Sequence, residues 1–308
     1  MEVNRILDHI YDFLRELKPY HLPIGDRVRI GSNGDGGYVL LNRGLQDVEV
    51  LYSYGVGTNS DFEFMFCEKY NAIARLYDHT VDTMPLKKDF LYFKKQGVGA
   101  KKSGSVNTIE NHINENGDGN KKLILKIDVE GAEWDTLLHT PNATLESFEQ
   151  IAIEIHNLHS FCPVYNGINL AKSILDKKTQ VIKKINNLFY LYHAHANNFQ
   201  PLFYVNRFKL PNVMELTFVN KKYFKSAEYS KTIFPTEFDR PNNPERADIK
   251  LHFWPFHSGT INYLLSIVIQ IGWRKGWKKM LNIIYNCLES KWKSVIIAIK
   301  LRRPTSYS

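Results

Sequence analysis

The stretch Lys122–Trp134, KLILKIDVEGAEW, constrains this chain more than any other. Leu123-Ile124-Leu125 and Ile127 make an apolar run bounded by lysines, too short for a helix of its own. Its length and β-branched content fit a buried strand. The strand runs into Asp128-Val129-Glu130-Gly131-Ala132-Glu133, three carboxylates within six residues. Acids at the carboxyl end of a parallel strand lie where open α/β sheets bind ligands. A solvated loop after a core strand is the plainer alternative, and the segments around it argue against that.

Upstream, residues 1–20 form a predicted helix with Ile6, Ile10, Leu14 and Leu17 on one face. A glycine-rich turn between the strand-like segments Arg27–Ile30 and Tyr38–Leu41 suggests a hairpin, although that stretch taken alone reads first as only a turn. The strand candidate Val48–Ser53 enters Tyr54-Gly55-Val56-Gly57, and Ser60 or Asp61 is the expected cap of a helix over Phe62–Tyr70. Glycines between strand and helix let backbone approach a ligand at the positive helix end. The next strand, Ala72–Tyr77, ends at Asp78, 21 residues after Gly57. An acid at that spacing in a nucleotide-binding βαβ unit accepts hydrogen bonds from ribose hydroxyls. Further strands are expected at Leu91–Phe93, Gln150–His156, Phe189–Tyr192 and Val213–Val219, with helices at Ser105–Glu115 and Ile168–Leu175.

Alternating strands and helices predict an α/β doubly wound sheet. The last two strands are joined by too short a loop for a crossover helix, which predicts an antiparallel edge. The segment Phe234–Asn243, FPTEFDRPNN, reads as an ordered loop leading out of the domain, with a boundary at Pro255–Gly259.

Of the 308 residues, 44% are hydrophobic and 13% aromatic, enough for a real core. Cys67, Cys162 and Cys287 are scattered without CxxC spacing, which argues for a reducing compartment and against a structural zinc site. The N-terminus lacks the basic and long apolar regions of a signal peptide. Residues 259–308 hold nine basic residues and one acid, which accounts for the whole net charge of +8. The body is therefore formally neutral and is not a nucleic-acid binder by composition.

These motifs resemble class I S-adenosylmethionine-dependent methyltransferases, and more narrowly the FkbM-type group. Leu125-Lys126-Ile127-Asp128-Val129-Glu130-Gly131-Ala132-Glu133 matches that group's hallmark after strand four. Arg29 with Asp35-Gly36-Gly37-Tyr38-Val39, then Ser53–Gly57, Glu154-Ile155-His156 and His195-Ala196-Asn197-Asn198 fit the same relatives in the same order. The likeness covers roughly residues 25–245. It implies a seven-stranded mixed, Rossmann-like methyltransferase sheet with S-adenosylmethionine along the strand ends. Gly55 and Gly57 would pass under the methionine moiety, and Asp78 would hold the ribose. The chain departs from the commoner acid-Gly-x-Gly start, because Ser53 and Tyr54 precede Gly55. Asp35 and Asp128 are the acids expected to face the cofactor in its place.

Methyl transfer to an alcohol needs alignment and a proton acceptor or a metal. His156 and His195 are the candidate bases, with Asp128 and Glu154 as catalytic acids or hydroxyl holders. Asp128, Glu154 and His156 are the candidate ligands of Mg²⁺ or another divalent cation. A third reading makes the carboxylates mere caps of the following helix. The tail carries three of the five tryptophans among apolar and lysine blocks. That composition suits a basic amphipathic helical segment at an anionic membrane surface, and packing on the body is its rival. The expected organisation is a helix and hairpin cap over 1–45, a methyltransferase domain over 46–258 and the tail over 259–308. The expected function is O-methylation of a sugar hydroxyl on a surface glycan or its lipid-linked precursor, with the enzyme cytoplasmic and peripheral at the inner face of the membrane. Its rivals are a methyltransferase acting on a protein or lipid acceptor and a non-catalytic docking module of the same fold.

Overall fold

The computed structural model describes residues 2–22, 27–206 and 208–257. Seven strands form the main sheet: β1 (Val50–Tyr54), β2 (Ile73–Tyr77), β3 (Leu91–Lys94), β4 (Leu123–Ile127), β5 (Phe148–Ile155), β6 (Phe189–Ala196) and β7 (Met214–Asn220). Their order across the sheet is β6-β7-β5-β4-β1-β2-β3. The pairs β1–β2, β2–β3, β1–β4 and β4–β5 are parallel. Strand β7 runs antiparallel to both β5 and β6. This is the doubly wound, seven-stranded mixed sheet expected, consistent with a Rossmann-like methyltransferase fold. The antiparallel pair forms the expected edge, with β6 outermost and next to it β7. Strand β7 lies between β5 and β6 with every residue buried, which its run Met214–Val219 permits.

Among the described residues six α-helices accompany the sheet: α1 (Glu2–Glu16), α2 (Asp61–Tyr70), α3 (Ile109–Asn116), α4 (Glu133–His139), α5 (Asn142–Glu146) and α6 (Pro163–Leu188). The predicted face of the first helix, Ile6, Ile10, Leu14 and Leu17, is buried. Helix α2 begins where expected, but its cap differs. Ser60 makes no side-chain cap bond. Asn59 Oδ1 instead accepts from Asp61 N at 2.9 Å. Helix α3 starts later than its propensity allows, because Val106–Asn107 pairs as a short strand with Gly97–Val98. Thr108 then caps it, Oγ1 accepting from Asn111 N at 3.1 Å. Helix α6 is far longer than the stretch expected and is kinked at Gly167, where φ is 69°.

The hairpin pairs Arg27–Gly31 with Gly37–Leu41. Leu41 N donates to Tyr192 Oη at 2.6 Å and to Gln150 Oε1 at 3.1 Å, which ties the hairpin to β6 and β5. Tyr38 and Leu40 enter one core cluster with Leu51, Phe62, Phe66, Ala74, Ile124 and Ala152. Each fully buried large side chain there contributes roughly 1.5–3 kcal/mol. Among the described residues no helix is long and apolar enough to cross a membrane. The reading of residues 259–308 as a membrane-surface tail lies outside the described residues.

Candidate active site

Strand β1 is followed in sequence by β2 on one side of it, while β4 lies on the other. The strand order therefore reverses between β1 and β4, and the carboxyl ends of these strands flank a crevice, the usual ligand position in open α/β sheets. Two adjoining cavities of about 290 and 310 Å³ fill it, both lined by Gly55, Asp78, Thr80, Asp128 and Glu130. The glycine bend after β1 and the acids after β4 thus line the same cleft. Asp128 N donates to Tyr54 O at 3.0 Å. A Cβ on Gly55 would stand 1.6 Å from Asp128 O, and φ there is +77°, so only glycine fits. At Gly57, φ is +55° and a Cβ would meet no atom within 4 Å, so bare backbone faces open space.

Asp78 sits at the end of β2, and its carboxylate braces the bend. Oδ2 accepts from Val56 N at 3.0 Å and Gly57 N at 2.9 Å. Oδ1 accepts from Thr80 N at 2.7 Å and Thr80 Oγ1 at 2.6 Å. Burial pushes this carboxyl up, but the bonds from Thr80, Gly57 and Val56 outweigh it and hold it below its ordinary value. Its four acceptor positions are thereby engaged. Asp35 lines the same cleft from the hairpin turn. Its Oδ1 accepts from Asn242 Nδ2 at 2.9 Å.

The loop after β4 is bent back on itself. Glu130 takes φ +53° and Gly131 φ +109°. Glu133, fully buried at the start of α4, brackets this loop: Oε2 accepts from Gly131 N at 2.7 Å and Oε1 from His156 N at 2.8 Å. Trp134, buried in the first turn of α4, adds a bond, Nε1 to His156 O at 3.0 Å. Lys178 of α6 donates to the carbonyls of His156 and Asn157 at 2.9 and 2.8 Å. Burial pushes its ammonium down to about 7.

This bracket fixes His156. Its Nε2 lies 3.7 Å from Asp128 Oδ1 and 3.5 Å from Glu130 Oε2, and its Nδ1 lies 3.4 Å from Glu133 Oε1. Burial opposes the charged imidazolium, yet the carboxylates of Glu133, Asp128 and Glu130 win, and its pKa is raised. Asp128, Glu130 and His156 each offer a ligand atom within 4.8 Å of the others. A histidine with two carboxylates suits a divalent cation. Glu154, expected in that set, stands outside it.

Glu154 points instead into a buried polar network at the ends of β5, β6 and β7. Its Oε1 accepts from Asn197 Nδ2 at 2.7 Å. Burial first, then the charges of Asp128 and Glu215, push its carboxyl well above the carboxylate range, against the Asn197 bond. His195 is 1% exposed, with Nδ1 3.1 Å from Glu215 Oε2 and Nε2 3.0 Å from Asp248 Oδ1. Burial alone would lower its pKa, but Glu215 and Asp248 raise it to about 10. An imidazolium held that way keeps its proton at neutral pH and has no nitrogen open to an incoming hydroxyl.

Of the expected residues, Gly55, Gly57, Asp35, Asp78 and Asp128 line one cleft, His156 adjoins it through Asp128, and Glu154 and His195 belong to the network behind. Sequence reasoning missed Lys126, whose Nζ donates to Gly55 O at 2.6 Å, and Tyr38, whose Oη lies 3.4 Å from Asp128 Oδ2. Both stand inside the quoted motifs, so alternation along β4 and the hairpin was the available signal. Glu215 and Asp248 gave none, being 20 and 53 residues from His195.

No family model matches the sequence, and no curated protein does. Among solved structures the chain is similar to one described as a fibrillarin/Nop5p complex, at 11% identity over 57% of this chain and 73% of that one. With a TM-score of 0.32 that likeness carries no argument about function, which rests on the residues above.

Proposed function

We propose that the chain is an S-adenosylmethionine-dependent O-methyltransferase whose acceptor is a sugar hydroxyl of a surface glycan or its lipid-linked precursor. The observation that carries this reading is the cleft at the strand-order reversal, where Gly55 can approach Asp128 only because it has no side chain. Bare backbone at Gly57, the braced acid Asp78 and the facing acids Asp35 and Asp128 suit a cationic nucleoside. The cofactor, when bound, supplies an electrophilic methyl group. The chain's own work is then to hold the hydroxyl and take its proton.

His156 is the base we assign. Its Nε2 faces Asp128 and Glu130, and those carboxylates stabilise the imidazolium that proton uptake creates. His195, locked between two carboxylates, is a positioning residue on this reading. A second reading, favoured by the proximity of the three ligand atoms, has Asp128, Glu130 and His156 hold Mg²⁺ or another divalent cation that orients a sugar diol.

Incubation with labelled S-adenosylmethionine and a panel of glycan, lipid and protein acceptors, with and without EDTA, tests both. Transfer to a glycan that survives EDTA supports the metal-free base; transfer lost to EDTA and restored by Mg²⁺ supports the cation. Cofactor binding without transfer to any acceptor would leave the docking role. The tail fits a lipid-carried acceptor, as an anchor on an anionic membrane at its inner face. A chain ending at residue 259 should then lose sedimentation with anionic liposomes, and equal sedimentation of the two forms would dispose of the anchor.

A further inference from the structure

We propose that Lys126 is the carboxylate anchor of the cleft, selecting a nucleoside with a zwitterionic aminoacyl tail over the same nucleoside without its carboxylate. The inference rests on the S-adenosylmethionine reading and deepens it. Lys126 lies on β4 at the centre of the sheet, paired with Ser53 on one side and Ala152 on the other. Its side chain is 6% exposed, and that small exposure is to the cleft, which it lines with Asp35, Gly57 and Asp128. Among the described residues lining the two cavities it is the sole lysine or arginine, against the carboxylates of Asp35, Asp78, Asp128 and Glu130. Such a cleft draws in the positive groups of a ligand. A ligand carboxylate entering it finds one lysine or arginine among the described lining residues, Lys126.

The ammonium has three donors. One is engaged by Gly55 O at 2.6 Å. Asp128 Oδ2 is 3.9 Å away, beyond hydrogen-bond distance. The Tyr38 ring centroid, at 5.9 Å, offers a weak cation–π contact. The cation is therefore pinned at the glycine bend with donor capacity left for a charge-assisted bond. A role as a mere tie between β1 and β4 is the rival account. The backbone already makes that tie, Asp128 N to Tyr54 O at 3.0 Å, and does so without a buried charge. An α-amino acid tail carries its carboxylate and ammonium on one carbon. With the carboxylate on Lys126, the ammonium falls toward Asp128 or Asp35, both of which line the same cavity.

Calorimetric titration of the full chain with S-adenosylmethionine and with its decarboxylated form, which keeps the ammonium, tests the assignment. The wild-type protein should bind the intact cofactor at least tenfold more tightly. Lys126→Met should weaken that binding roughly tenfold to a hundredfold, the range of a hydrogen bond to a charged group, and leave the decarboxylated form within about twofold. Equal losses for both ligands would show a structural tie and overturn the inference. So would wild-type protein that binds the two forms equally, a result that needs no variant to fold. Lys126→Arg, which keeps the charge, should keep the discrimination. Wild-type protein that binds neither form overturns the cofactor reading itself, and the carboxylate anchor with it.

Discussion

At Gly55 a single methyl group decides the site. Its left-handed backbone alone would cost a side chain about 1–3 kcal/mol, and the added Cβ would stand 1.6 Å from a main-chain oxygen that cannot move without breaking the β1–β4 register. Gly55→Ala should therefore lower the melting temperature and abolish cofactor binding, read by thermal denaturation and calorimetry. Gly57→Ala meets open space and should cost only its left-handed backbone, about 1–2 kcal/mol of stability. Comparable melting losses in the two variants would show that the close approach to Asp128 is unimportant. His195 makes a second prediction. Its folded pKa of about 10 exceeds the ordinary 6.5, so the folded state binds the proton more tightly. Its contribution to stability is then fully present below about pH 6.5 and is lost as pH rises toward 10. Melting temperatures of wild type and His195→Gln across that window check this: the wild-type curve should fall more steeply, and parallel curves would refute it.

The element that organises the site is the β4–α4 turn, held by a side chain from its own helix. Glu133 accepts backbone N–H groups from both Gly131 and His156, so it joins the loop after β4 to the end of β5. A glutamine has one acceptor oxygen where two are needed, and its amide would face an N–H. Glu133→Gln should cost about 1–3 kcal/mol, a fall of about 2–4 °C per kcal/mol in a domain near this size; an unchanged melting temperature would remove the bracket from the account. The strand itself was legible from its apolar run, and the glycine bend from its place between a strand and a helix. Which of three crowded carboxylates turns inward was not, because Glu130 and Glu133 differ only in the backbone path between them. The cap on α2 was missed for a similar reason: Ser60, Asp61 and Asn59 all carry capping oxygens, and the local backbone chooses among them.

At the scale of the molecule, the two ends of the described chain close the site together. The segment FPTEFDRPNN reads from composition as a way out of the domain, yet it folds back over the ends of β6 and β7. Asp239 bonds Thr236 N and pairs with His193 Nε2 at 2.8 Å, both partners nearly dry. Burial would raise the Asp239 carboxyl, but His193 pulls it well below the usual range. Asn198 donates to the carbonyls of Asn243 and Arg246 at 2.9 and 3.1 Å. Asn242 then reaches Asp35 Oδ1 at 2.9 Å and Glu215 Oε1 at 2.6 Å, joining residues 207 apart in sequence. Contacts of that separation leave no periodicity to read, so a one-dimensional pattern misses them. Asn242→Ala removes both bonds at once and leaves the Glu215 carboxylate short of a donor. The free energy of local opening should fall by about 1–3 kcal/mol there. Hydrogen exchange should then speed up roughly tenfold or more at 239–248 and, with it, at the hairpin turn 32–37, while amides of β1 and β4 stay protected. Faster exchange in the C-terminal segment with an unchanged hairpin turn would mean that the two ends open independently, and that Asp35 owes its place in the cleft to the hairpin alone.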